Sequence, residues 1–176
     1  MITQSISGAW QMRDTQSNKW LPATVPGGTY TDLLAAGQIP DPFVGKNEKQ
    51  VQWVADRDWE YCHEFSVEPG LLEQDRVELV CTGLDTLAEI TLNGQPVGQT
   101  NNMFRTYRWD IKSQLASGTN TLTVIFRSPL AYINGRQGAQ AADSDECRHG
   151  SSTQGAKSFR LGLGSAPAHQ RHLARY

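Results

Sequence analysis

Four stretches of this chain carry the spacing of half-buried strands. Glu60 to Phe65, Val77 to Cys81, Ala88 to Leu92 and Thr121 to Phe126 are rich in β-branched and aromatic residues. Ala88-Glu89-Ile90-Thr91-Leu92 alternates apolar with polar at a period of two, so one face of the run is apolar. Asn93-Gly94 follows directly and precedes Gln95-Pro96-Val97. Asn-Gly accepts the positive φ angles of a tight hairpin, which predicts a hairpin there. Gly118-Thr119-Asn120 predicts a second turn before the last clear strand. One short helix is expected at Thr29 to Ala36, after the break at Pro26-Gly27-Gly28. Thr29 or Thr31 is placed to cap it, Gly37 to end it and Pro40 to bar continuation. Many short strands with one or two small helices predict an all-β fold, an antiparallel sandwich of jelly-roll type.

The pattern changes after Arg136. Gln137 to Tyr176 is dominated by Gly, Ala, Ser, Gln and Arg and has two aromatics, Phe159 and Tyr176. Neither strand alternation nor a helical stripe runs through it. The expected organisation is one β-sandwich domain over 1–136 and an irregular, poorly ordered tail over 137–176.

Bulk properties remove several function classes. The 176 residues are enough for one domain with a sizeable core. A net charge of −2 offers no electrostatic footprint for nucleic acid or an anionic membrane. No apolar run approaches a membrane span. The start, Met1-Ile-Thr-Gln-Ser-Ile-Ser, lacks the basic and apolar regions of a secretion signal. Cys62, Cys81 and Cys147 cannot all pair within one chain, so reduced thiols and a cytoplasmic location are expected.

Candidate chemistry is sparse. Asp58 and Glu60 lie two apart in an expected strand and so share a face. Paired carboxylates perform glycoside hydrolysis, but this spacing is common, and two solvent-facing acids beside Trp59 is the reading preferred here. Asn101-Asn102-Met103-Phe104-Arg105 is the better ligand-facing candidate. Its amides and guanidinium can make directional hydrogen bonds to sugar hydroxyls, with Phe104 anchoring the loop in the core. The alternative is a loop that merely joins two strands. Trp53 and Trp59 flank Val54 to Asp58, and an exposed indole can stack on a sugar ring. Trp59 and Trp109 are expected in the core, and Trp53 in a more open position. Cys147, His149, His169 and His172 have the wrong spacing for common zinc sites, so no metal is expected. Gly162-Leu163-Gly164 lacks the flanking strand and helix of a phosphate loop.

Three segments carry a resemblance. They are Asp41-Pro-Phe-Val-Gly-Lys-Asn-Glu through Asp58-Trp59-Glu60-Tyr61, Gly83-Leu84-Asp85 through Leu92-Asn93-Gly94, and Asn101 through Trp109-Asp110. Together they resemble the N-terminal, galactose-binding-like domain of β-mannosidases of glycoside hydrolase family 2. Trp20 to Gly28 and Thr31 to Leu34 extend the likeness, which covers about Gly8 to Tyr132. The resemblance implies a non-catalytic domain, because that family holds its two catalytic glutamates in a later (β/α)₈ barrel. It implies a retaining, exo-acting parent enzyme that releases terminal mannose from β-mannosides or oligosaccharides. The implied partner is the barrel of the same protein, with no cofactor, nucleic acid or membrane. It places Asn102 and Arg105 near the contact with the barrel and assigns no catalytic residue; with the more open Trp53 they are the candidate substrate-proximal or interdomain residues. The remaining readings are a free-standing carbohydrate-binding module and an inactive pseudogene product.

The tail has a sharper reading. The family continues with a segment like Phe-Gly-Trp-Asp-Trp-Gly-Pro-Arg, absent here in frame. One coding string permitted for Phe159 to Arg175, read from its second base, spells Phe-Gly-Trp-Asp-Trp-Gly-Pro-Arg-Leu-Pro-Thr-Ser-Gly-Ile-Trp-Arg. Synonymous codons can be chosen freely, but every Trp needs one fixed codon across a residue boundary. The expectation is a frameshift between about Gln137 and His149. Resequencing the gene tests it: an intact frame to Tyr176 with no mannosidase coding downstream would refute it.

Overall fold

The computed structural model describes residues 2–129 and the backbone of 160–165. Two antiparallel sheets face each other. The strands are β1 (Thr3–Ser5), β2 (Gly8–Asp14), β3 (Leu21–Val25), β4 (Trp59–Ser66), β5 (Val77–Thr82), β6 (Ala88–Leu92), β7 (Gln95–Thr100), β8 (Thr106–Asp110), β9 (Thr119–Phe126) and β10 (Arg160–Ser165). The first sheet runs β1-β10-β5-β8 and the second β3-β2-β4-β9-β6-β7. Short helices are α1 (Thr29–Ala35), α2 (Asn47–Gln50), α3 (Trp53–Asp56) and α4 (Pro69–Leu72). The expected all-β jelly roll is what forms.

The core follows from strand alternation. Trp10 and Met12 on β2, Trp59 and Tyr61 on β4, and Leu122, Val124 and Phe126 on β9 turn inward and are buried. Leu79 and Cys81 on β5 meet them from the other sheet. Each such burial contributes about 1.5–3 kcal/mol. The Tyr61 and Phe126 rings meet edge to face at 5.7 Å, the arrangement favoured by the ring quadrupoles.

The hairpin at Asn93-Gly94 forms, with φ of 52° and 76°. Asn93 also donates its side-chain amide to Asn120 Oδ1 at 2.8 Å. That oxygen accepts the Ala116 N–H at 2.8 Å as well, so the two expected turns brace each other.

Two expectations are corrected. No threonine side chain caps α1, whose N-cap is Gly28. Thr29 instead turns its hydroxyl inward to the Tyr61 hydroxyl at 3.1 Å. Asp32 lies beside them, accepting the Tyr61 hydroxyl at 3.4 Å and the Thr24 N–H at 3.1 Å. A buried acid needs such partners, and here they bind the helix to both neighbouring strands. The second correction is β10. No strand was expected beyond Arg136, yet residues 160–165 pair with β1 on one side and β5 on the other. The glycines of Arg160-Leu161-Gly162-Leu163-Gly164 lower intrinsic strand propensity, and the slot between two existing strands overrides it. The rest of 137–176 lies outside the described residues.

Candidate functional site

Strand register gathers several connections at one end of the sandwich. Trp59 opens β4 opposite Phe126, Phe126 pairs with Ala88, and Ala88 pairs with Thr100. Asp14 closes β2 opposite Trp59. Segments 83–87 and 101–105 pass between the sheets at this end, because Thr82 pairs with Thr106 there. Segment 38–58 is fixed nearby at both its ends. Lys19 reaches Gln38 at 3.4 Å, and Arg57 pairs with Asp14 at 3.3 Å.

Two loops at this end use the same local device. Asp41 Oδ1 accepts the Phe43 N–H at 2.9 Å, and Asn102 Oδ1 accepts the Phe104 N–H at 2.9 Å. Such turns satisfy the backbone locally and leave the aromatic without a place inside. Phe43 is 97% exposed and Phe104 88% exposed. The expectation that Phe104 anchors its loop in the core is therefore wrong: the turn points it outward. Trp20, Val44, Trp53 and Met103 are further exposed apolar side chains on segments reaching this end. Phe43 was missed in the sequence, although its Asx-x-Phe spacing repeats at Asn102 and was legible.

The loop's anchor is a polar one. The Tyr107 hydroxyl accepts the N–H groups of Asn101 and Asn102 at 3.2 and 3.1 Å. Arg105 sits over the Tyr107 ring at 5.9 Å, and Tyr107 stacks on Trp109 at 5.5 Å. The structure thus brings Asn102 and Arg105 into one braced loop. Trp53 is half exposed on α3, 6.1 Å from the buried Trp59. Trp109 is partly buried against the core.

The carboxylate pair is committed elsewhere. Arg127 grips Glu89 in a fork at 3.1 and 2.7 Å and reaches Asp58 at 3.0 Å. Asp58 also accepts the Ser128 N–H at 2.7 Å. These hydrogen bonds to Glu89 and Asp58 keep the Arg127 guanidinium firmly charged. Glu60 is paired with Arg13 at 2.6 Å.

Among the described residues, no group of three His, Cys, Asp or Glu side chains is placed to hold a metal. Cys147, His149, His169 and His172 lie outside them. No described helix is long and apolar enough to cross a membrane.

Among the described residues, then, an antiparallel jelly roll presents exposed apolar side chains on loops at one end, and its Asp58 and Glu60 are paired with arginines. The chain belongs to the glycosyl hydrolase 2 galactose-binding domain-like family, which it matches over residues 10–161. It is 35% identical to a β-mannosidase of Capra hircus over 136 residues, 77% of this chain and 15% of that protein. A β-mannosidase B of Thermothelomyces thermophilus is 39% identical over 72% of this chain and 15% of its own length. The crystal structure of a β-D-mannosidase from Dictyoglomus thermophilum superposes with a TM-score of 0.82 at 32% identity, covering 94% of this chain and 23% of that one. The chain thus spans about 15% of the length of the curated relatives it matches and corresponds to their N-terminal domain.

Proposed function

We propose that this chain is the non-catalytic module of a retaining, exo-acting β-mannosidase, and that its loop end docks onto the catalytic remainder of that enzyme. The substrate class would be β-mannosides or manno-oligosaccharides with a terminal β-D-mannose. The observation that carries the reading is the pair of Asx turns that hold Phe43 and Phe104 out of the core at the same end. Exposed aromatics on backbone closed by local turns bury large area when a partner arrives. Asn102, Arg105 and Trp53 belong to the same surface and supply its polar rim and a third ring.

The test is complementation. The separately produced barrel portion of a similar β-mannosidase is mixed with this chain. Complex formation is followed by calorimetry, and activity by release of an aryl alcohol from its β-mannoside. Phe43→Ser with Phe104→Ser should weaken the complex by at least about tenfold, the scale of one lost anchor. Full-strength binding by that double variant would reject the docking surface.

A further inference from the structure

On the outer face of the six-stranded sheet, a groove of about 710 Å³ lies along β3, β2 and β4 and reaches Trp20 at the edge of the loop end. Its floor follows from alternation. Trp10 and Met12 turn into the core, so Ala9 and Gln11 rise on the opposite face. Pro22 and Cys62 flank Gln11 directly across the two neighbouring strands, with Glu64 further along β4. Trp20 forms one wall, and its ring is steadied by the Arg13 guanidinium 4.6 Å from its centre.

The available groups restrict the ligand. No Lys or Arg stands among the described residues that line the groove, and nearby Arg13 is paired with Glu60. The side chains of Gln11 and Glu64 have no hydrogen-bond partner among the described residues, and both are exposed. An amide and a carboxylate ask for hydroxyl donors. The indole, Pro22 and Ala9 ask for an apolar C–H face. A pyranose ring presents both. Most of these groups stand on paired strands, which hold them in place before binding.

We propose that this groove is a non-catalytic subsite for a neutral pyranose of an oligosaccharide, with Trp20 as the stacking platform and Gln11 and Glu64 as hydrogen-bonding partners. The inference does not depend on the docking role of the loop end.

An isotope-labelled chain titrated with β-1,4-linked mannotriose tests it by NMR. The backbone amides of Gln11, Cys62 and Glu64 and the Trp20 indole N–H should shift together. Trp20→Ala should weaken binding about tenfold, as loss of a stacked ring does. Gln11→Ala, at an exposed position that leaves the fold intact, should weaken it severalfold. Three results would overturn the proposal. One is no shift up to about 50 mM sugar, far beyond the millimolar affinities such contacts give. The second is shifts confined to Phe43 and Phe104. The third is binding of 1,4-diaminobutane at the groove that excludes the sugar, which would mark a cation site built on Glu64.

Discussion

Gly98 and Trp109 lie so close that a Cβ on Gly98 would fall 2.3 Å from the indole Nε1. The indole ring takes the space, and it is the same ring that backs Tyr107 beneath the 101–105 loop. Gly98→Ala should therefore cost about 1–3 kcal/mol, the range for overpacking. It should also speed hydrogen exchange at the Asn101 and Asn102 amides, which Tyr107 protects. Denaturant unfolding with exchange mass spectrometry measures both. Unchanged exchange in a destabilised variant would uncouple the indole from the loop.

Asp32 is predicted to tolerate Asn and not Ala. Burial raises its carboxyl pKa, partly offset by the hydrogen bonds from Thr24 and Tyr61. A raised folded-state pKa gives stability that is present below the ordinary carboxylate value and lost as pH rises through the folded one. At neutral pH the ionised form is thus held at a cost. Asn keeps an acceptor for Thr24 without the charge, and Asp32→Asn should stay within about 1 kcal/mol of wild type. Asp32→Ala strands the Thr24 N–H and removes one partner of the Tyr61 hydroxyl, which keeps Thr29, and should lose roughly 2–3 kcal/mol. Chemical denaturation at pH 7 separates the two outcomes.

His63 gives the opposite slope. Its ring stacks on Trp10 at 4.9 Å, and burial lowers its pKa, partly offset by a backbone hydrogen bond with Ala9. Stability from the neutral ring is full above the unfolded value of about 6.5 and falls as pH drops through the folded one. Unfolding midpoints from pH 8 to pH 5 should fall less steeply in His63→Gln than in wild type. Parallel curves would assign the slope to other groups.

The isolated chain should hydrolyse no aryl β-mannoside above background. Retention needs an acid and a nucleophile about 5 Å apart across the bond, and Asp58 and Glu60 are bound to Arg127 and Arg13 instead. Asp58→Asn and Glu60→Gln should leave that background unchanged. A rate that survives repurification and disappears in either variant would refute this.

Strand positions were readable in the sequence because alternation is local. Ala88 to Leu92 and its Asn93-Gly94 turn sit where the pattern put them. What escaped depended on partners distant along the chain. Residues 160–165 look unlike a strand until β1 and β5 stand on either side. Phe104 looks like a core residue, yet it lies on a loop whose residues 101–105 are all exposed, closed on itself by the Asn102 turn. Of the candidate site, Asn102 and Arg105 were visible as polar groups on a loop. Phe43 was hidden by the habit of assigning aromatics to the interior, and the Tyr107 clamp by its position in a neighbouring strand.

The placement of β10 also dictates an order of events. Gln4 pairs with Leu163, so β1 finds its ladder partner far along the chain, beyond every other strand described. The β1–β10 and β10–β5 ladders close long loops and are slow to form, while β5 with β8 and β2 with β3 and β4 can zip together earlier. In that interval Gln4 has a provisional hold. Its side chain donates to the Ser66 carbonyl at 2.7 Å and accepts the Glu68 N–H at 2.9 Å. That clip parks β1 beside an open slot, ready for a strand that arrives late.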